Sequence, residues 1–104
     1  MAKWELKAEK DNYADFKRVL DLALEQASSG KGAERHGGKK PFMDQPMMEI
    51  SRMLNSPAGC MYQAMKKTQE ASRMQPDAAK RELLGAINYL AGAYLLLEEM
   101  QATC

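Results

Sequence analysis

The sequence predicts a single all-α domain built from four helices. Ala, Leu, Met, Glu, Lys and Gln, which favour helices, dominate the chain, and β-branched residues are scarce. No segment alternates between apolar and polar residues with a period of two, so we expect no strand. A length of 104 residues is typical of one domain, and we therefore assign residues 1–104 to one helical unit.

The first helix is expected to follow a flexible arm at residues 1–10 and to run to Ser28. Asp11 or Asn12 can cap its start, and Gly30 can end it in a left-handed conformation. Apolar residues at helical spacing predict that one face of this helix is buried. This face consists of Phe16, Leu20, Ala23, Leu24 and Ala27.

Prolines mark the starts of the next two helices. Pro46 and Pro57 each stand in a first turn, where a missing N–H is tolerated, and Asn55-Ser56 separates the two helices. The second helix is expected to bury Met47, Ile50 and Leu54. The third, which runs to about Met74, is expected to carry Met61, Met65 and Thr68 on one side. Met is a flexible core residue, and we expect six methionines in core positions: Met47, Met48, Met53, Met61, Met65 and Met74.

The fourth helix is expected to run from Pro76 to about Gln101. It is apolar on almost every side between Leu83 and Leu97. That run covers about 15 residues, fewer than the roughly 20 that cross a bilayer, so we expect no membrane span. A helix that is apolar all round is usually covered on several sides.

Small residues in the fourth helix permit the close approach of another helix. Gly85 and Gly92 lie seven residues apart, and Ala86 and Ala93 repeat the spacing. The partner is either the third helix of the same chain or the fourth helix of a second copy. Because the fourth helix is so apolar in so small a chain, we expect the second alternative, a homo-oligomer formed through the C-terminal helix.

Charge and cysteine usage narrow the class of protein. The chain has 15 basic and 14 acidic residues and a net charge of +1, so no global field attracts nucleic acid. We expect neither nucleic acid nor membrane as a partner. Cys60 and Cys104 are expected to be free thiols in a reducing cytoplasm, and the charged N-terminus lacks the apolar segment of a secretion signal.

The segment 30–42, GKGAERHGGKKPF, differs most from the rest of the chain. It combines four glycines with four Lys or Arg residues and the only histidine. Glycines allow backbone N–H groups to converge on an anion, and Arg offers two parallel donors to phosphate. The alternative is a solvated linker that binds no ligand. The favoured interpretation is a ligand-binding loop whose candidate residues are Lys31, Arg35, His36, Lys39, Lys40 and Phe42.

The third helix offers further polar candidates. Gln63, Lys66 or Lys67, and Glu70 recur at steps of three and four residues and share a face. Gln63 and Lys66 are expected to form the wall opposite the basic loop. The alternative is a solvated face with a Lys–Glu pair.

Catalysis and metal binding have less support. A single histidine excludes a site with several histidines, and the carboxylates form no dense pair of metal-binding motifs. We therefore expect no catalytic residue, no metal and no cofactor. Asn88 in the apolar helix must be hydrogen-bonded if buried, and its role stays open among a chain-break cap, an oligomer register and ligand recognition.

Two resemblances rest on specific stretches. The G-K-G-x-E-R-H loop, the Q-P helix start, the QAMKK helix and the ELLGAINYL helix resemble small tailed-phage proteins across about residues 26–99. The closing ELLGAINYLAGAYLLLEE is similar to the last helix of MazG-like nucleotide pyrophosphohydrolases. This chain has Gly85-Ala86 where that family carries a metal-binding acid. In kind, a small helical phage oligomer also resembles the viral sponge proteins that sequester nucleotide signals.

These resemblances imply binding of a nucleotide, which agrees with the anion site expected in the segment 30–42. We expect a phage protein that sequesters a phosphorylated, nucleotide-like signalling molecule in the cytoplasm of the infected bacterium, without catalysis. One alternative is a MazG-like hydrolase that depends on magnesium and on Glu70 or Glu82. Another is a protein that inhibits a host defence enzyme by inserting the basic loop, in which case Arg35 is needed.

Overall fold

The computed structural model describes residues 12–29 and 41–102 of the chain. Within these ranges the chain forms four α-helices, and none of their residues lies in a strand. The all-α class and the four helices are therefore confirmed. The helices are α1 (Ala14–Ser29), α2 (Pro46–Leu54), α3 (Ala58–Ala71) and α4 (Pro76–Ala102), and a 3₁₀ turn (Phe42–Asp44) precedes α2. The expected arm at 1–10 and the basic residues at 30–40 lie outside the described residues.

Local sequence signals set the boundaries of α2 and α3. Pro46 occupies the first turn of α2, and Asn55 ends that helix in the left-handed conformation with φ of 52°. The Ser56 hydroxyl then accepts a hydrogen bond from the Ala58 backbone N–H at 3.0 Å. This satisfies one of the N–H groups that a helix start leaves without an intrahelical partner. The stop at Asn55 and the Ser56 cap expected from the sequence are present, whereas Pro57 immediately precedes α3 instead of standing in its first turn.

Helix α4 is the element on which the others pack. Its most extensive interface is with α3, a smaller one is with α1, and α2 contacts both α3 and α4. The central cluster joins α2, α3 and α4 through four buried residues: Met48, Cys60, Ala93 and Leu96. No helix of the described residues has both the length and the apolar character that a membrane span requires.

The small residues of α4 face α3 and α2 of the same chain. A Cβ added to Gly92 would lie 3.6 Å from Cys60 Sγ in α3 and 3.2 Å from Met47 Cε in α2. Ala86 and Ala93 are buried beside it. The expectation that this stripe meets a second copy is therefore wrong, because elements of the same chain already cover it. Oligomerisation through another face of α4 stays a prediction.

The inner face of α3 also differs from the expectation. The buried residues are Cys60, Ala64 and Ala71, whereas Met61 and Met65 are exposed. The side of α3 that packs against α4 therefore carries small residues, together with the alkyl chain of Lys67 over Gly85, and the methionines lie on the other side. Of the six methionines expected in the core, only Met48 is buried and Met47 is half-buried; Met53, Met61, Met65 and Met74 are exposed.

Helix α2 is rotated relative to the expected orientation. Met48 and Ser51 are buried, while Ile50 and Leu54 are more than half exposed. Ser51 can be buried because its hydroxyl donates to the Met47 carbonyl at 2.7 Å. The sequence predicts Ile50 in the interior because it is apolar. The face with Ser51 can be buried instead, because the Ser51 hydroxyl has a hydrogen-bond acceptor within the helix.

Candidate functional site

A cavity of about 520 Å³ lies between α1 and α4, beside the 3₁₀ turn. Its wall is formed by apolar side chains from both helices, together with a few polar groups. The lining residues are Leu20, Ala23, Leu24, Ala27, Ser28, Pro41, Phe42, Gln45, Ile87, Asn88, Ala91 and Leu95. Cavities of this size and character are typical of sites for small molecules.

The cavity exists because α1 touches α4 through small side chains. Ala23 is the buried residue of α1, while Leu20 and Leu24 are largely exposed. The apolar face expected on α1 is thus only partly buried, and Phe16 at its start is exposed as well. Leu20 and Leu24 line the cavity together with Ala23.

Two side-chain hydrogen bonds hold α1 against α4. Asn88 Nδ2 donates to the Ala23 carbonyl at 2.9 Å. Gln26 Nε2 donates to the Arg81 carbonyl at 3.3 Å. The first bond gives Asn88 a structural role that the sequence left open. Asn88 also lines the cavity, and an amide oxygen is able to accept a hydrogen bond.

The described residues on both sides of the cationic segment line this cavity. Ser28, two residues before Gly30, lines one side, and Pro41, which is bonded directly to Lys40, lines another. Lys31, Arg35, His36, Lys39 and Lys40 themselves lie outside the described residues. The fold therefore brings the two ends of the segment to one apolar opening, which sequence reasoning did not predict.

The three remaining candidate residues are not gathered in one place. Phe42 lines the cavity and also packs against the central cluster. Gln63 is half-buried and Lys66 is exposed on α3, and neither belongs to the wall of this cavity. The structure thus does not bring Gln63 and Lys66 together with Phe42 to form an opposite wall there.

A separate polar cluster lies between α3 and α4. Lys67 Nζ is 3.7 Å from Glu82 Oε2 and 5.9 Å from the centre of the Tyr89 ring. Its alkyl chain packs over Gly85, whose added Cβ would lie 3.0 Å from Lys67 Cδ. The sequence favours Lys66 as a wall residue, whereas Lys67 is the one that packs between α3 and α4. This ion pair occupies Glu82, one of the two acids of the hydrolase alternative.

Metal chemistry has no support in the described ranges. No three His, Cys, Asp or Glu residues at 12–29 and 41–102 are grouped so that they could hold a metal ion. Glu99, a further carboxylate of α4, is engaged by Arg52, whose Nε donates to its Oε2 at 2.7 Å. The hydrogen bond from Arg52 lowers the pKa of Glu99 below its ordinary value, and the same contact raises the pKa of Arg52.

Together these features define an all-α, four-helix protein with an apolar cavity at the ends of a cationic segment. The chain matches no family model, no curated protein and no solved structure. The similarity to tailed-phage proteins and to MazG-like enzymes therefore stays a prediction from the sequence.

Proposed function

We propose that the protein binds a phosphorylated, nucleotide-like small molecule at the α1–α4 cavity and holds it without chemical change. One observation carries this proposal: Ser28 and Pro41, which flank the cationic segment 30–40 in the sequence, both line the cavity. A ligand with an apolar part and an anionic part matches that arrangement. The volume of about 520 Å³ lies within the roughly 300–1,000 Å³ of small-molecule sites.

The apolar part of such a ligand is a planar base. Phe42 offers an aromatic ring in the wall, and Leu24 and Leu95 offer alkyl surface. Asn88 Oδ1 is able to accept a hydrogen bond from the N–H edge of a base. A nucleobase combines apolar faces with N–H donors at its edge, which is the combination that these groups favour.

The anionic part is one or more phosphates held by the segment 30–40. Lys31, Arg35, His36, Lys39 and Lys40 provide donors, and the Arg guanidinium can bind phosphate through two parallel hydrogen bonds. Gln63 and Lys66 have no part in this proposal, since they lie outside the cavity wall. Binding alone is sufficient for sequestration, because no proton transfer or nucleophile is required.

The biological role follows from the resemblance to small tailed-phage proteins and to viral sponge proteins. A protein of this kind would remove a nucleotide signal of a host defence system in the cytoplasm of the infected bacterium. This part of the proposal rests on sequence resemblance, whereas the binding site rests on the cavity and the charged segment beside it.

A capture experiment tests the binding site. The purified chain is incubated with linear and cyclic nucleotides, with and without magnesium. The free nucleotides are then measured by chromatography, before and after heat denaturation of the protein. We expect one class of nucleotide to disappear and to return intact on denaturation. Arg35→Ala should reduce capture, because it removes the two-pronged phosphate donor.

A matched pair of variants locates the ligand. Ala91→Phe places a ring in the cavity and should abolish capture, whereas Ala102→Phe, on the same helix but outside the wall, should not. Capture that survives Ala91→Phe would exclude the cavity. Recovery of cleavage products would instead favour the hydrolase alternative and call for Glu70 and Glu82 variants. If every nucleotide stays free, the proposal is overturned. The remaining hypothesis is then the inhibition of a host protein through Arg35.

A further inference from the structure

We propose that two copies of the chain pair in antiparallel orientation through the outward face of α4. This face, the outer stripe, consists of Leu83, Leu90, Tyr94 and Leu97. Their exposed fractions are 44, 54, 65 and 50 %. The proposal is independent of nucleotide binding, because it concerns a different face of α4 and is tested by mass.

The outer stripe has the spacing of a helix-pairing seam. Its members follow one another at seven-, four- and three-residue steps. Residues at such steps align along one side of an α-helix. The face with Gly85 and Gly92 meets α3 and α2, and the face with Asn88 meets α1. The outer stripe is thus the third side of α4, which the described residues leave uncovered.

Charge selects both the partner and its direction. Lys80 and Glu98 are exposed and stand 18 residues apart, which is five helical turns, so they share one side of α4 beside the outer stripe. Their midpoint is residue 89, and the midpoint of Leu83 and Leu97 is Leu90. A two-fold axis near that point therefore places Lys80 of each copy next to Glu98 of the other. In a parallel pair Lys80 and Glu98 would stay 18 residues apart along the helix axes and could not pair.

Lys80 is available for this contact. Its Nζ lies 3.9 Å from Asp77 Oδ1, and both side chains are at least 75 % exposed. A loose pair of this kind contributes little. The four side chains of the outer stripe offer roughly 400 Å² of apolar surface per copy, about half of what a standard interface buries on each partner. Lys80 and Glu98 form a charged margin beside this apolar surface, the arrangement of interfaces with an apolar core and a polar rim.

Sedimentation of the full chain at increasing concentration tests the pairing. We expect the mass of a dimer, with dissociation on dilution. Leu90→Glu should shift the population to monomer, because it places two carboxylates at the two-fold axis. Leu54→Glu is the matched control, since Leu54 is 62 % exposed on α2, outside the outer stripe. Circular dichroism of both variants verifies that the helices persist.

Charge exchange tests the direction. Lys80→Glu and Glu98→Lys should each weaken the dimer about fivefold or more, because each variant reverses two ion pairs. The double variant should restore the dimer, and an equimolar mixture of the two single variants should form heterodimers. Absence of both rescues would overturn the antiparallel arrangement. A wild-type chain that stays monomeric at all concentrations, or loss of the dimer in Leu54→Glu, would overturn the outer stripe as the interface.

Discussion

Arg52 and Glu99 form a two-point ion pair that joins α2 to the C-terminal part of α4. Arg52 Nε donates to Glu99 Oε2 at 2.7 Å, and an Arg52 terminal nitrogen donates to Glu99 Oε1 at 3.0 Å. The same terminal nitrogen donates to the Met43 carbonyl at 2.8 Å. One guanidinium therefore connects α4 to the turn that carries Phe42, and this connection sets the position of one cavity wall.

This pair predicts a specific acid sensitivity. The hydrogen bond from Arg52 lowers the pKa of Glu99 in the folded state. The ion pair therefore contributes its full stabilisation above the ordinary glutamate pKa of 4.5, and this stabilisation is lost as the pH falls through the lowered pKa. Glu99→Gln should therefore lower the urea midpoint at neutral pH and lose less stability than the wild type between neutral and acidic pH. Glu25→Gln, an exposed carboxylate on α1, serves as control. Equal acid sensitivity in wild type and Glu99→Gln would contradict the role of the pair.

The two bonds between α1 and α4 should differ in their contribution. Asn88→Leu removes the donor to the Ala23 carbonyl and should cost about 1–2 kcal/mol of unfolding free energy. Gln26→Leu should leave the unfolding free energy about unchanged or raise it. In the wild type the buried Gln26 Oε1 has no donor among residues 12–29 and 41–102, and the substitution removes this atom. Urea titrations of both variants measure the difference. A larger loss in Gln26→Leu than in Asn88→Leu would reverse this assignment.

The position of Lys67 over Gly85 predicts non-additive substitutions. Ala in a helix interior is more favourable than Gly by about 0.5–1 kcal/mol, so Gly85→Ala should stabilise a Lys67→Ala chain by that amount. In the wild-type background the new Cβ would lie 3.0 Å from Lys67 Cδ, so the side chain that contacts Glu82 and the Tyr89 ring must shift, and the gain should shrink or reverse. A double-mutant cycle from urea unfolding measures this coupling.

Gly92→Ala provides the control for that cycle. Its closest neighbour is the flexible end of Met47, so its effect should be the same with and without Lys67. Additive effects of Gly85→Ala and Lys67→Ala would mean that Lys67 has no fixed place over the glycine.

The Cys60 thiol should be inert in the folded protein. Cys60 is 1 % exposed, and its Sγ lies 3.6 Å from Ser51 Oγ. Because the Ser51 hydroxyl donates its proton to the Met47 carbonyl, the thiol is the donor to Ser51. In a Cys104→Ser chain, Ellman's reagent should label Cys60 at least about a thousandfold more slowly than in concentrated urea. Fast labelling without denaturant would show that the α2–α3–α4 cluster opens readily.

The sequence predicted what depends on neighbouring residues. Pro46 starts α2, Asn55 ends it, and Pro57 immediately precedes α3. These boundaries depend only on residues that are close in the sequence, so the sequence predicts them. The rotation of α2 and α3 could not be predicted in the same way. Both helices carry apolar residues on more than one face, and which face is packed depends on contacts with α4 that are distant in the sequence, such as that of Cys60 with Gly92.

The candidate site was predictable only in its charged part. The density of Lys and Arg between residues 30 and 40 indicates an anion site, but nothing local shows that Ser28 and Pro41 share a wall. That juxtaposition depends on where α1 rests on α4. Likewise, Arg52 and Glu99 are 47 residues apart, and no spacing rule connects them.

The slight attachment of α1 has a consequence for hydrogen exchange. Ala23 is the only fully buried residue of this helix, and α3 has the larger interface with α4. Regions with few buried contacts open at a lower free energy than the rest of a domain. The amides of α1 should therefore exchange before those of α3 and α4. The cavity exists only while α1 is packed against α4. A ligand bound in the cavity should therefore stabilise the packed position of α1 and slow amide exchange throughout this helix.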